Sequence, residues 1–587
     1  MAHESFEDSG VAEILNNYYI SIKVDKEERP DIDSIYMSVC QALTGSGGWP
    51  TSIFMTPNQK PFFAGTYFPK ESKYGMVGFK DLLLEINSQW KSNKNKLVES
   101  ADNIINHLKK VGNVIGNDND LIQQTVETLK KSFDNKYGGF GEAPKFPSPH
   151  NLMFLMDYYR YTKDQNSLNM VETTLLQMYK GGIFDHIGYG FSRYSTDKYF
   201  LVPHFEKMLY DNALLTISYC MAHDITGKSI YRDIAEKTVE YILREMTGTE
   251  GGFFSAQDAD SEGIEGKYYV FTPTEIMTLL GKKVGKEFNK YFDITEHGNF
   301  EGYSIPNLLK NEILTEEFNQ YLPEIYKYRK ERAALHLDDK ILTSWNSMMI
   351  VALTYLFRIS NKEKYLQAAE KAESFISKKL CNDLTLFVSY REGNNGSNGF
   401  IDDYAYYIMA LISLYESTLN KEYLNRAKEF CAQTVKIFWD KENYGFYLYG
   451  NENEQLVLKP KETYDGAVPS GNSIMAYNLV KLSFITKEKG INELAEKQME
   501  FMSNRASAYP AGNTFYLLAL ALYENPLNQI TVVLKDKADS KTIINKLGLN
   551  SNITVLEEPN DEFGLLNDKT TFYVCKGNSC LPPTNEV

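Results

Sequence analysis

The same short pattern opens four stretches of this chain: Tyr231-Arg-Asp-Ile-Ala235, Tyr365-Leu-Gln-Ala-Ala369, Tyr423-Leu-Asn-Arg-Ala427 and Ile491-Asn-Glu-Leu-Ala495. A large residue four places before a small one puts both on one helix face, where a neighbouring helix can approach closely. Each copy follows a short polar turn such as Thr226-Gly-Lys-Ser229 and leads into amphipathic sequence. The long, uneven spacing of the copies predicts stacked helix pairs with variable insertions, not a short-period solenoid.

Periodicity predicts twelve helices, near 121–133, 150–163, 166–180, 204–226, 229–246, 343–360, 363–379, 401–418, 422–437, 470–486, 490–504 and 512–523. Taken in order they form six pairs, with short turns on one side and long loops on the other. That alternation suits an (α/α)6 toroid over 121–525, with the repeat on its outer helices and the loops leading to its inner ones. Residues 256–340 are too many for a loop and are expected to form an inserted subdomain on the loop face. Residues 1–110 alternate strand and helix: a strand at Tyr19–Val24, a helix at Ile32–Leu43, and a hairpin joining Thr51–Met55 to Lys60–Phe63. Residues 526–587 read as a small α/β tail, with a strand at Ile530–Leu534, a helix at Ser540–Leu547 and strands near 552–556 and 571–575. The expected fold is thus multidomain: an α/β N-terminal domain, a central all-α (α/α)6 toroid and a small C-terminal α/β region. A length of 587 residues agrees, since single cores stop growing near ~250–300 residues.

A formal charge of −15 with no basic stripe argues against a nucleic-acid backbone as partner, and none is expected. No apolar run approaches the ~20 residues of a membrane span and no secretory signal is present, so no membrane partner and a cytoplasmic location are expected. The cysteines at 40, 220, 381, 431, 575 and 580 do not form a secreted disulfide framework, and Cys575 and Cys580 are expected to be a free pair. No protein partner is legible.

The expected inner-helix starts are Pro149-His150-Asn151, Pro203-His204-Phe-Glu206, Ser344-Trp345-Asn346, Asp402-Asp403-Tyr404, Ser470-Gly471-Asn472 and Gly512-Asn513. Capping explains much of this pattern. A toroid nonetheless points these ends towards one another and makes a polar funnel suited to anionic or hydroxyl-rich ligands. The loops repeat a Gly-aromatic theme at Tyr137-Gly-Gly-Phe140, Gly181-Gly-Ile-Phe184, Gly251-Gly-Phe-Phe254 and Tyr444-Gly-Phe-Tyr447, which anchors the loop or stacks on a ligand. The densest polar string holds Asp185, His186, Tyr189 and Arg193, followed by His204, Glu206 and Asp211. Histidine moves protons near neutrality and a carboxylate orients it or acts beside it. Further candidates are Asp258, Asp260, His336, Asp338, Asp403, Trp345 and Asn346. Paired carboxylates at a pocket mouth also suit acid/base work on sugars. Asp258-x-Asp260-x-Glu262 is not a calcium loop, because its twelfth position is Tyr269, and no His/Cys spacing suggests zinc; no metal or other cofactor is expected.

Met1-Ala-His-Glu-Ser-Phe-Glu-Asp8, Val24-Asp-Lys-Glu-Glu-Arg-Pro-Asp-Ile-Asp33 and Gly47-Gly-Trp-Pro-Thr51 resemble the thioredoxin-like domain of the spermatogenesis-associated protein 20 family. The resemblance continues through Gly139–Pro147, Pro203–Asn212, Ser255–Glu262 and Leu337–Asn346. It implies a thioredoxin fold with a cis proline before a strand, and a toroid similar to the six-hairpin glycosidases and N-acylglucosamine 2-epimerases. It also implies a Cys-x-x-Cys motif directly ahead of the segment matching Met1, so the chain is expected to lack that motif and the first strand. The leading expectation is a carbohydrate-active enzyme, an epimerase/isomerase or glycoside hydrolase, with a small sugar ligand. In it His186, His204, Asp185, Glu206, Asp338 and Asp403 would be catalytic, and Tyr189, Arg193, Asp211, Asp258, Asp260, His336, Trp345 and Asn346 would bind substrate. The alternatives are a thiol-linked redox protein whose toroid is a binding or regulatory module, and a non-catalytic sugar-binding scaffold.

Overall fold

The computed structural model describes residues 2–73, 75–111, 120–536, 539, 543, 544, 547–549, 551–576 and 579–586. They divide into two compact units, residues 1–115 with 447–462, and residues 116–446 with 463–587.

The first unit contains α1 (Ser9–Tyr18), α2 (Pro30–Thr44), an antiparallel hairpin of Ser52–Met55 and Pro61–Gly65, α3 (Phe79–Ser92) and α4 (Lys94–Val111). The Trp49–Pro50 peptide is cis, directly ahead of the first hairpin strand. Tyr19–Val24 is not a strand. The two hairpin strands pair only with each other, so this segment has no ladder among the described residues, and Ile20 and Ile22 are 93% and 79% exposed. Cys40 is fully buried beside Ile35, Val39 and Ala64, and Leu456–Leu458 pack against the same core. The loop 447–462, expected within the toroid, therefore belongs to this unit; Arg29 ties it down through Glu454 at 3.0 Å.

In the second unit, inner helices α6 (Pro149–Thr162), α8 (Leu209–Thr226), α13 (Thr343–Ser360), α15 (Ile401–Thr418), α17 (Gly471–Thr486) and α19 (Thr514–Glu524) each pack on the next, and α19 closes on α6. Outer helices α7 (Gln165–Lys180), α9 (Ser229–Glu245), α14 (Glu363–Lys379), α16 (Lys421–Phe438) and α18 (Lys489–Ala506) cover the inner helix before them, and α5 (Leu121–Ser132) covers α19. This is an (α/α)6 toroid. The inner helices are buried on nearly every side, as expected of helices that are apolar all round. The repeat lies on the outer helices, and Ala235, Ala369, Ala427 and Ala495 are at most 1% exposed. The insertion folds as α10 (Pro273–Leu280), α11 (Lys282–Tyr291) and α12 (Leu322–Arg332), and α10 starts in a Thr272/Glu275 capping box.

The C-terminal region closes one end of the toroid. Strand Asn528–Val533 lies between the parallel Ser551–Leu556 and the antiparallel Thr571–Lys576. Near the C-terminal ends of α13 and α15, Arg358 donates to the carbonyls of Leu547 (3.0 Å) and Gly548 (2.8 Å), and Tyr415 donates to that of Ile553 (3.1 Å). Lys481 of α17 bridges Glu416 (2.5 Å) and Asn552 (3.1 Å). All three charged side chains are buried, so they need this pairing to offset their desolvation. The helix expected at 540–547 lies largely outside the described residues. Cys575 and Cys580 are not a free pair: they face each other in the register of two antiparallel strands and form a disulfide.

Candidate functional site at the loop face

Loop geometry explains the repeated Gly-aromatic theme. After five outer helices the chain turns back on itself through one isolated bridge: Phe133–Phe140, Phe184–Phe191, Thr247–Phe253, Phe387–Asn398 and Trp439–Phe446. Gly190 and Gly445, each just ahead of the aromatic, have φ of +80° and +74°, which an L side chain adopts only with strain. A buried asparagine in the first turn of the following inner helix then clamps the aromatic residue's backbone. Asn212 holds Phe191, Asn346 holds Phe253 and Asn472 holds Phe446, accepting from N–H at 2.7–2.8 Å and donating to the carbonyl at 2.9–3.0 Å. Asn346, expected to bind substrate, is thus fully occupied with backbone.

Further contacts lace the inner-helix starts into a ring. Tyr210 of α8 meets Trp345 of α13 edge-on at 4.8 Å. Asp403 of α15 accepts from the Ser344 N–H at 3.2 Å and the Phe400 N–H at 2.9 Å. Asp465, which the sequence reading missed, joins α17 to α19 by accepting from the N–H groups of Ser470 (3.0 Å) and Phe515 (2.8 Å). Thr514 donates to Asn151 of α6 at 2.8 Å. Burial pushes the carboxyls of Asp403 and Asp465 up, to about 8 and about 6. Asp465 escaped notice because it stands six residues ahead of Gly471, where its helix starts, outside any capping pattern.

Between α7 and α8 runs a short antiparallel ladder. Tyr194 pairs with His204, so Pro203-His204 is a strand and not the helix start expected; α8 begins only at Leu209. The next rung joins Arg193 to Glu206, by backbone at 2.9 Å and by side chains at 3.0 Å. Arg193 is partly buried, which opposes its charge, but Tyr210, Glu206 and Asp211 hold it firmly protonated. The imidazole of His204 stacks on Tyr194 at 5.1 Å, and Tyr194 meets Phe146 at 4.8 Å. Among the described residues, Nδ1 of His204 is buried without a hydrogen-bond partner, and so is Nδ1 of His150 in the first turn of α6. Burial holds His150 down to about 4, so it is a neutral base at pH 7. Sequence marked His150 only as a capping neighbour.

The other candidates lie elsewhere. Asp185 is buried in an ion cluster, bidentate to Arg329 at 2.8 and 2.9 Å and bonded to Lys207 at 2.8 Å. Burial alone would raise its carboxyl, but the two cations hold it well below the usual range; burial pushes the Lys207 ammonium down to about 8. His186, which is buried, and Tyr189 line a cavity between α7, α9 and the insertion. Asp258, Asp260 and His336 are exposed, and Asp338 is half-buried beside Lys340 at 3.3 Å. No group of three His, Cys, Asp or Glu able to hold a metal occurs among the described residues.

A six-hairpin toroid joined to a thioredoxin-like domain is the class of protein these features define. Residues 1–109 match the family described as protein of unknown function, DUF255. Human spermatogenesis-associated protein 20 is 32% identical across 100% of this chain and 84% of its own length. The chain belongs to the spermatogenesis-associated protein 20 family. Solved structures similar to it include cellobiose 2-epimerase from Bacillus thermoamylovorans (TM-score 0.45, 13% identity, 68% of this chain and 97% of that one). A D-mannose isomerase gives TM-score 0.47 and 14% identity over 69% of this chain and 95% of that one.

Proposed function

We propose that the loop face of the toroid binds a saccharide and transfers a proton on it, in the manner of a sugar isomerase or epimerase, with His204 as the proton carrier. The carrying observation is the unpartnered Nδ1 of His204, set in an aromatic stack one rung from Arg193–Glu206. An imidazole stacked this way presents a base beside rings suited to a sugar face, and Trp345 supplies a further surface. Glycoside hydrolysis needs two available carboxyls, and three of the buried acids are already committed. Asp403 and Asp465 accept backbone N–H groups on both oxygens, and Asp185 is locked between cations. The thiol-linked reading gains no support from the free cysteines: Cys40, Cys220 and Cys431 are buried, and burial pushes the thiols of Cys381 and Cys431 up, to about 11 and about 12.

The test is proton NMR in D2O with D-mannose, D-glucose, cellobiose and N-acetylglucosamine, following exchange of the hydrogen next to the carbonyl carbon. Wild-type protein is expected to exchange it on at least one of these sugars. His204→Ala is expected to slow exchange about 100-fold or more at unchanged thermal stability. Absence of exchange on all four sugars, or undiminished exchange by the variant, refutes the assignment.

A further inference from the structure

Within the densest polar string of the sequence, His186 and Tyr189 stand apart from Arg193 and His204. His186 and Tyr189 line a separate cavity of about 150 Å³ between α7, α9 and the insertion. Tyr179, Phe184, Tyr291 and Phe292 supply further aromatic walls, and a cavity of this size takes a single six-membered aromatic ring. One cation enters it. Lys237, half-buried on α9, reaches the Tyr179 hydroxyl at 3.3 Å and stands 5.7 and 5.9 Å from the ring centres of Tyr179 and Tyr189. Among the described residues it has no carboxylate within ion-pair distance. The two acids of the lining do not take that place: Asp233 pairs with Arg232 at 3.0 Å, and Glu316 is exposed. His186 adds no charge, since burial and Lys237 hold its imidazole neutral and its Nε2 lies 3.2 Å from the Gly181 carbonyl oxygen. A partly desolvated ammonium amid rings leaves one vacancy in the local chemistry, an anionic group attached to something flat and apolar.

We propose that this cavity is a binding site for a small aromatic carboxylate, with its ring among Tyr179, Phe184 and Tyr189 and its carboxylate on Lys237. The site is independent of the sugar reading, because none of its residues belongs to the loop-face ring. It is built partly from the insertion, through Tyr291, Phe292 and Leu314, so the insertion acquires a role that hairpin packing alone does not need.

The experiment is calorimetric titration of the full chain with sodium phenylacetate and, separately, with neutral benzyl alcohol. Both are expected to bind. Lys237→Met is expected to weaken phenylacetate about tenfold or more, the size of one charge-assisted hydrogen bond, and to leave benzyl alcohol within about twofold. Leu314→Trp, which fills the cavity from the insertion side, is expected to abolish both. Lys237→Gln serves as the second charge-removing variant should the methionine protein not fold. No phenylacetate binding at millimolar concentration, equal loss of both probes in the Lys237 variant, or full binding by Leu314→Trp overturns the proposal.

Discussion

Replacing Asp185 by Asn separates a structural anchor from a catalytic acid. Oδ1 accepts from Arg329 Nη1 and from the N–H groups of Ile187 (3.0 Å) and Gly188 (2.9 Å), and Oδ2 accepts from Arg329 Nη2 and Lys207. An amide keeps Oδ1 but turns an N–H₂ donor towards two donors, and it strands a guanidinium that is 1% exposed. Removing one partner of a buried pair costs about 3–5 kcal/mol. Urea unfolding followed by circular dichroism should show that loss at pH 7. Arg329→Met should cost less when added to Asp185→Asn than alone, because the second change removes the stranded charge; a coupling of about 2 kcal/mol is expected. The pH dependence has a definite sign. The folded carboxyl sits below its unfolded value of ~3.9, so its contribution is present above that pH and is lost as the pH falls further. The gap between wild type and Asp185→Asn should therefore narrow below about pH 4. A destabilisation under about 1 kcal/mol, or strict additivity of the two changes, would refute the anchoring role.

Two further outcomes follow from the same structure. Asn346→Ala leaves the N–H and C=O of Phe253 and the C=O of Leu342 without their side-chain partner. A loss of about 3 kcal/mol in thermal unfolding is expected, whereas Trp345→Ala next to it should weaken sugar binding with little effect on stability; similar stability losses in both would contradict the clamp. His186, held down to about 4 mainly by burial and then by Lys237, stays neutral in the fold while the unfolded chain takes up a proton below ~6.5. Acidification from pH 7 to 4 should thus cost wild type about 3 kcal/mol more than His186→Phe, read from urea midpoints at the two pH values.

The toroid was legible because its signal is local. A Tyr-x-x-x-Ala spacing lies within one turn of helix and reports its face whatever surrounds it. The site was legible only in part. Arg329 and Asp185 are 144 residues apart, and no local pattern announces that they meet. Pro203-His204 has the residues of a helix start, but the backbone there pairs with Tyr194–Ser195, and Lys207–Met208 pairs with Ala256–Gln257; tertiary ladders overrode the propensity. Tyr19–Val24 alternates like a strand, yet a strand exists only with a partner. Cys575 and Cys580 gave no spacing signal because their approach is set by cross-strand register.

The partners of the toroid's buried polar groups narrow the chemistry. Asn212, Asn346, Asn472, Asp403 and Asp465 meet backbone groups at the inner-helix starts, and Arg358, Glu416 and Lys481 hold the C-terminal strands across the other end. Each has partners that an apolar substitute would leave unsatisfied, so their presence is explained by stability. His150 and His204 share an unpartnered buried atom with groups such as Arg358 (Nε) and Thr125 (Oγ1) among the described residues, and differ from them in that an imidazole nitrogen can accept a proton. In this toroid both lie on the loops and helix starts of one face, the face the C-terminal strands leave uncovered, which is why the proton-transfer assignment rests on His204 and not on the carboxylates.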